Sequence, residues 1–249
     1  MHESRPTGAR ERDLLRLAAI CGVVGQGAFV ALWVVWGFVE KNYDVTRQDI
    51  SDFGALDASH PLPYNIILSA TGALTVFLAL GLARALRPGF VALAGCLALV
   101  IFGVGEFLDG LLREDCSPSG NAACRAAADA GDLSWHHTAH DIESIATIAS
   151  VIVAPIVLAF VFRRRDEWRG LWRYSLLSAA VIIAFVVPYA IVFAANDGSE
   201  VSGLLERGAG TVAVVWIAVV SLRLWQLAGA TPSDVPERAS PAVQTSPTS

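Results

Sequence analysis

Six stretches of the sequence consist of apolar residues with few or no charges between them. They are residues 17–39, 66–83, 88–105, 144–162, 174–196 and 204–225. About 20 such residues cross the hydrocarbon core of a bilayer as an α-helix. Hydrophobic residues make up 54% of the chain and charged residues 16%, whereas soluble domains carry about 25% charge. The sequence therefore predicts an all-α, polytopic membrane protein built as a bundle of six transmembrane helices.

Three segments follow from this pattern. Residues 1–13 are predicted as a cytoplasmic tail, 14–227 as the transmembrane domain and 228–249, rich in Pro, Ser and Thr, as a disordered cytoplasmic tail. The first span is too long for a cleavable signal peptide, whose apolar region is about 7–15 residues. A formal net charge of −5 argues against a nucleic-acid partner, because domains that bind nucleic acid are basic.

The distribution of basic residues predicts the orientation. With six spans, 13 of the 18 Lys and Arg residues fall on the side of both termini and five on the other side. Because cytoplasmic loops carry the excess of Lys and Arg, both termini are predicted to be cytoplasmic. The chain has a single lysine, Lys41, and is rich in Ala, Val and Gly, a bias typical of GC-rich bacterial coding. We therefore expect a multi-pass protein of the bacterial plasma (inner) membrane.

Two cysteines, Cys116 and Cys124, fall in the loop between the third and fourth spans, which the charge rule places outside. An oxidising exterior permits a disulfide between them, and two unpaired thiols are the alternative. Cys21 and Cys96 lie within predicted spans and are interpreted as small apolar residues.

Ionisable residues gather at the outer ends of the third and fourth spans. Glu106 and Asp109 are three residues apart, and helical spacing places His136, His140 and Glu143 on one face. An ionisable group inside a bilayer costs roughly 2.5–3.5 kcal/mol on insertion scales, so such residues are candidates for function. These five residues are the predicted metal ligands, and zinc is the metal that such a set would hold.

Two other interpretations of the cluster remain open: a polar cap at the water interface and a proton relay. If the protein is an enzyme, Ser51, Asp52, Asp109 and His140 are the candidate catalytic residues. Arg207, at the outer start of the sixth span, is a candidate contact for an anionic head group, with a helix-start charge or ion pair as the alternative. Glycines in the spans are expected to allow close helix approach: Gly22, Gly25, Gly27, Gly95, Gly103 and Gly105.

The segment 46–54 reads Thr-Arg-Gln-Asp-Ile-Ser-Asp-Phe-Gly, with an Ile-Ser-Asp-x-Gly signature after the first of six predicted helices. This signature resembles that of the bacterial integral membrane family called domain of unknown function 998. The sequence also resembles that family's pattern at His140 and in the segments 168–175 and 203–207. The similarity covers roughly residues 14–227. The loop with the two cysteines is longer than in the family pattern, and either Asp109 or Asp115 matches its acidic position.

The same signature is similar to one in the damage-regulated autophagy modulator family, which is also six-helical and linked to lipid handling. Within the signature, Ser51 and Asp52 are predicted either to cap a turn or, for Asp52, to reach the histidine cluster. The resemblance implies a non-catalytic protein that binds or organises membrane lipids, or supports a membrane partner or a homo-oligomer.

A metal-dependent, zinc-containing hydrolase of a lipid amide or ester is the alternative function. A proton-coupled transporter is the third hypothesis. It ranks last, because it would need a polar path through the whole membrane, and the inner halves of the spans hold almost no ionisable residues. No Walker loop, nucleophile elbow or dinucleotide fingerprint occurs in the sequence, so no nucleotide cofactor is predicted.

Overall fold

A computed structural model describes residues 8–87, 89–194 and 200–229 of the chain, and within these ranges the protein is all-helical, without strands. Within the same ranges, two short 3-10 helices, Ser51–Gly54 and Asp166–Leu171, accompany seven α-helices. The α-helices are α1 (Ala9–Val39), α2 (Pro61–Leu86), α3 (Phe90–Asp109), α4 (Ala122–Ala130), α5 (Trp135–Arg163), α6 (Trp172–Ala194) and α7 (Ser202–Gly229). All except α4 are long and apolar enough to cross a membrane, which confirms the predicted six-span helical bundle.

All the long helices except α3 begin earlier than the apolar runs that predicted them. Helix α5 begins at Trp135 rather than at residue 144, because the side chain of Ser134 caps its first turn by accepting from the His137 amide. Helix α2 begins at Pro61, whose fixed φ suits the first helical position. The predicted start at residue 88, the predicted end at residue 196, residues 1–7 and the tail from residue 230 lie outside the described residues.

Helix α4 was not predicted. It is nine residues long and lies between the third and fourth spans, which are α3 and α5. Asn121 caps it by accepting from the amides of Ala123 and Cys124, and Gly131 ends it with a φ of 73°. The helix is only nine residues long and contains the charged residues Arg125 and Asp129, so it does not form a long uncharged run.

The six long helices form a closed ring, in which each helix packs against the next and α7 returns to α1. A large apolar core fills the ring, with Leu78, Leu158 and Trp216 fully buried. A second, smaller cluster of buried apolar side chains, which includes Leu32 and Phe53, packs against the loop between α1 and α2. The two cores leave a polar region at one end of the bundle.

We call this end the α4 face. Helices α1, α3 and α6 end there, and α2, α5 and α7 begin there. Its loops are the first loop, residues 40–60, and the α3–α5 connection, residues 110–134, which contains α4. On which side of the membrane this face lies stays a prediction.

Large apolar side chains cover the outside of the ring. Phe38 is 89% exposed, Ile145 70% and Phe193 63%. A soluble monomer rarely exposes so much contiguous apolar surface, whereas lipid tails would cover it. The outer surface therefore indicates contact with membrane lipids along the long helices.

Close helix approach depends on glycine at several of the predicted positions and at one more. Gly72 of α2 faces the main chain of α3 at Gly103, and an added Cβ at Gly72 would lie 2.5 Å from the Gly103 carbonyl oxygen. Gly105 of α3 lies against Thr147 of α5. The expectation for Gly27 is wrong, because a Cβ there would have nothing within 4 Å.

Candidate functional site

The Ile-Ser-Asp-x-Gly signature folds the first loop onto α2. Tyr64 donates its hydroxyl to the Ile50 carbonyl at 2.9 Å, and Asn65 donates its side-chain amide to the Gly54 carbonyl at 3.0 Å. Phe53 is fully buried in the small core. A Cβ at Gly54 would collide with Asn65, so this position requires glycine. Each part of the signature, apart from the half-buried Ser51, therefore has a packing or hydrogen-bonding role.

Asp52 joins the first loop to the α3–α5 connection. It is 5% exposed, and its Oδ2 accepts from the Asp49 amide at 3.1 Å and from the Ser119 hydroxyl at 2.5 Å. Burial raises the pKa of Asp52, while the hydrogen bond from Ser119 opposes that rise. Of the two roles predicted for this carboxylate, the geometry favours capping the loop.

Helix α7 holds the first loop from the other side through Glu206 and Arg207. The Arg207 guanidinium donates to the Gln48 carbonyl at 2.7 Å and to the Tyr43 hydroxyl, and Glu206 accepts from the Ile50 amide at 2.6 Å. Arg207 is 7% exposed and is directed into the protein. Its contact with a lipid head group stays a prediction.

Three of the predicted metal ligands converge between α3 and α5. Ligand atoms of Asp109, His140 and Glu143 all lie within 4.8 Å of one another. His140 is 4% exposed, and its Nδ1 lies 3.4 Å from Asp109 Oδ1 without forming a hydrogen bond. We call these three residues the deep triad.

Glu106 lies one helical turn below the deep triad, towards the middle of the bundle. It is 4% exposed and accepts from the Thr75 hydroxyl at 3.1 Å, while Gln26 donates to the same Thr75 oxygen at 3.0 Å. Glu106 thus belongs to a polar contact between α1, α2 and α3 and is not one of the converging ligands. Beyond this polar contact, further from the deep triad, the large apolar core fills the ring.

His136 is not part of the deep triad and contacts the α3–α5 connection instead. Its Nδ1 lies 2.7 Å from the Arg113 carbonyl, and its Nε2 lies 3.7 Å from Asp115. Asp115 also accepts from the amide and the hydroxyl of Ser134. His136 therefore helps to fasten the α3–α5 connection to the start of α5.

A second cluster, which we call the cleft triad, consists of Glu114, His137 and Asp141. Ligand atoms of the three residues lie within 4.8 Å of one another. His140 connects the two triads, since its Nε2 lies 3.8 Å from Glu114 Oε1. Burial raises the pKa of Glu114 well above its ordinary value, and the charges of Asp52 and other neighbouring carboxylates add to the rise.

The cleft triad lines an open cleft of about 220 Å³ on the α4 face. The cleft lies between the start of α5 and the end of α6. Its other lining residues come from the first loop, the α3–α5 connection, α6 and α7: Asp49, Pro118, Ser119, Arg125, Ala128, Asp129, Tyr189, Val192, Phe193 and Ser202. One wall is thus acidic, and the wall from α6 is largely apolar.

The disulfide predicted between Cys116 and Cys124 is present and closes the part of the α3–α5 connection that borders the cleft. Arg125, beside it, donates to the Pro118 carbonyl at 3.0 Å, which braces the same turn. The disulfide therefore belongs to the scaffold that positions Ser119 and the first turns of α4.

Sequence reasoning missed two cleft residues, Asp49 and Glu114. Asp49 accepts from the Tyr189 hydroxyl at 3.0 Å, across 140 positions of sequence, and nothing local indicates this pairing. Glu114 follows the end of α3 in a stretch that looks like an ordinary polar loop. The i, i+4 spacing of His137 and Asp141 was the one local signal for the cleft triad.

Comparison with known proteins identifies a family for this chain. The profile of a protein family of unknown function, DUF998, matches residues 23–223, which include both triads and the whole cleft. No curated protein and no solved structure matches the chain. The similarity to the damage-regulated autophagy modulator family stays a prediction. Because the match covers well over half of the sequence, the chain belongs to the DUF998 family.

Proposed function

We propose that the protein binds a membrane lipid whose head group occupies the cleft on the α4 face. The observation that carries this proposal is the composition of the cleft walls. Polar side chains of loops and α5 form one wall, whereas Val192 and Phe193, from a helix long and apolar enough to cross a membrane, form the other. A lipid has the same division between a polar head and apolar chains.

The size of the cleft fits a head group rather than a whole lipid. Pockets for drug-sized ligands measure about 300–1,000 Å³, and this cleft measures about 220 Å³. Ile191 and Phe193, at the end of α6, are 64% and 63% exposed on the outside of the bundle. Acyl chains can therefore lie along α6 while the head group enters the cleft.

Filling the cleft tests this proposal. Ala128 of α4 lines the cleft, whereas Ala126 is exposed on the same helix and does not line it. We expect native mass spectrometry to find one lipid retained per wild-type chain, retention in Ala126→Trp and loss in Ala128→Trp. Equal retention by all three proteins would show that the lipid binds elsewhere.

A second candidate function, a zinc-dependent hydrolase of a lipid amide or ester, is favoured by the deep triad. Zinc bonds of about 2.0–2.2 Å in a tetrahedral shell place ligand atoms about 3.3–3.5 Å apart. His140 Nδ1 and Asp109 Oδ1 are 3.4 Å apart, and the buried His140 Nδ1 has no hydrogen-bond partner. These two residues would hold a zinc ion, with Glu143, whose ligand atom lies within 4.8 Å of theirs, as the third ligand. Zinc bound there would lower the pKa of a coordinated water to about 7.

Metal analysis tests the deep triad. His60 is exposed at the start of α2, so His60→Ala is the matched control for His140→Ala. We expect about one equivalent of zinc in the wild type and in His60→Ala, and its loss in His140→Ala. Zinc that stays in His140→Ala would exclude the deep triad, and metal-free wild-type protein purified without chelator would exclude the hydrolase.

The orientation is also part of the proposal and rests on the asymmetry of basic residues. Ser59 is exposed in the first loop, so a cysteine at this position reports on the side of the α4 face. Labelling of Ser59→Cys by an impermeant thiol reagent in intact bacteria supports a plasma-membrane protein with cytoplasmic termini. Labelling only after the membrane is opened would reverse the orientation.

A further inference from the structure

In the part of the chain that the structure describes, two carboxylates of the cleft have an oxygen without a hydrogen-bond partner. They are Oδ1 of Asp49 and Oε2 of Glu114, and both atoms are buried. Glu114 as a whole is only 7% exposed. A buried carboxylate oxygen that accepts nothing loses its hydration without compensation, which is unfavourable. A ligand that donates hydrogen bonds to these oxygens would remove that cost.

The charge of the cleft selects the sign of the ligand. Among the described residues that line it, Asp49, Glu114, Asp129 and Asp141 are acidic, Arg125 is the one arginine and none is a lysine. The Arg125 guanidinium already donates to the carbonyls of the α3–α5 connection. An acidic, partly desolvated cleft disfavours a bare phosphate. It favours a cation, whose charge would stabilise the ionised form of Glu114 against the burial that raises its pKa.

The aromatic rings of Tyr189 and Phe193 also line the cleft. Tyr189 donates its hydroxyl to Asp49 Oδ2 at 3.0 Å, and its ring stacks on Phe193 with 6.2 Å between centroids. Ring faces attract organic cations such as ammonium groups. The hydrogen bond from Tyr189 occupies one oxygen of Asp49 and leaves the other for a ligand.

We propose that the cleft binds the primary ammonium group of an aminolipid through Asp49 and Glu114, a step that rests on the lipid-binding function proposed above. A primary ammonium carries three N–H donors, enough for both unpartnered oxygens. A quaternary ammonium has the same charge but no N–H donor, and an N-acylated amine has lost the charge. The inference therefore predicts discrimination among head groups that differ only at nitrogen.

Discrimination is measured by competition. Delipidated protein in detergent with EDTA receives equal amounts of phosphatidylethanolamine, N-acetyl-phosphatidylethanolamine and phosphatidylcholine with identical chains. Retained lipid is quantified by mass spectrometry. Because hydrogen bonds between charged groups are about twice as strong as those between neutral groups, we expect about tenfold or greater enrichment of phosphatidylethanolamine. Glu114→Gln should reduce this preference to near unity, whereas Asp57→Asn, at an exposed carboxylate of the first loop, should preserve it.

The outcomes separate this inference from the proposed function. Equal retention of the three lipids by the wild type, with loss in Ala128→Trp, would overturn the ammonium inference and leave lipid binding intact. Absence of any retained lipid would overturn both. A preference that appears only without EDTA would indicate a bridging metal ion and would overturn direct ammonium binding.

Free ethanolamine distinguishes a lipid from a soluble amine. We expect ethanolamine to displace phosphatidylethanolamine only at concentrations far above that of the lipid, since it lacks the acyl chains that contact α6. Displacement at equal concentration would show that the ligand is a soluble amine and would overturn the aminolipid assignment.

Discussion

Replacement of Gly72 by alanine tests the packing that positions the deep triad. An added Cβ would lie 2.5 Å from the Gly103 carbonyl oxygen and 2.9 Å from the carbonyl carbon of Glu106, and would also meet the Phe107 amide nitrogen. All three atoms belong to the main chain of α3, so no side chain can turn away. Because nonbonded carbon atoms prefer separations of about 3.5–4.0 Å, α2 and α3 must separate by about 1 Å.

The size of the destabilisation caused by Gly72→Ala follows from two opposing effects. Overpacking a core costs typically 1–3 kcal/mol, and contact with main chain on several sides places Gly72→Ala near 3 kcal/mol. Alanine favours the helix over glycine by roughly 0.5–1 kcal/mol. We therefore expect the free energy of unfolding to fall by about 2 kcal/mol. The same displacement of α3 would move Asp109 relative to His140.

The assay is reversible unfolding of the protein in mixed micelles by increasing SDS. Gly27→Ala is the matched control, because a Cβ at Gly27 has nothing within 4 Å. We expect Gly27→Ala to leave the free energy of unfolding unchanged or to raise it by up to about 1 kcal/mol. If both variants change it equally, or if Gly72→Ala is neutral, the close approach of α2 and α3 is wrong.

Three further predictions concern the α4 face. Arg207→Lys keeps the charge but loses the planar guanidinium that contacts the first loop, so we expect the free energy of unfolding in SDS to fall by about 2–3 kcal/mol. Arg47→Lys, at an exposed side chain, should change the free energy of unfolding by no more than about 0.5 kcal/mol. Reduction of the Cys116–Cys124 disulfide should lower the local stability of the α3–α5 connection by about 2–3 kcal/mol. Hydrogen exchange should therefore become faster in α4 and stay unchanged in the long helices, and an equal change in all helices would contradict this. Burial raises the pKa of Glu114, so above the ordinary glutamate pKa of about 4.3 the folded state binds more protons than the unfolded state. The melting temperature should therefore fall as the pH rises from 5 to 8, and the fall should be smaller in Glu114→Gln. An identical dependence of melting temperature on pH in both proteins would contradict this prediction.

The sequence predicted the long helices because each apolar run is a local property of the chain. It also predicted that Asp109, His140 and Glu143 would meet, since two of them share a helix face and the third ends the preceding span. The disulfide followed from two cysteines in one loop. In each case the deciding information lies within a few residues or in the length of a run.

The cleft could not be predicted in the same way. Asp49 reaches Tyr189, and Arg207 reaches Gln48, only because the ring closes α7 onto α1 and brings distant segments together. The role of Gly72 likewise depends on which face of α2 meets α3. Such pairings depend on the tertiary arrangement of the helices, which local spacing does not specify.

Photo-crosslinking tests the central claim, that the cleft holds a lipid head group, most directly. A phosphatidylethanolamine with a photoreactive group on an acyl chain next to the glycerol would be activated in membranes that contain the wild-type protein. The account predicts adducts concentrated at Val192 and Phe193, at the apolar wall of the cleft, and their loss in Ala128→Trp. Adducts spread evenly over the exposed faces of all six long helices, and unchanged in Ala128→Trp, would contradict it.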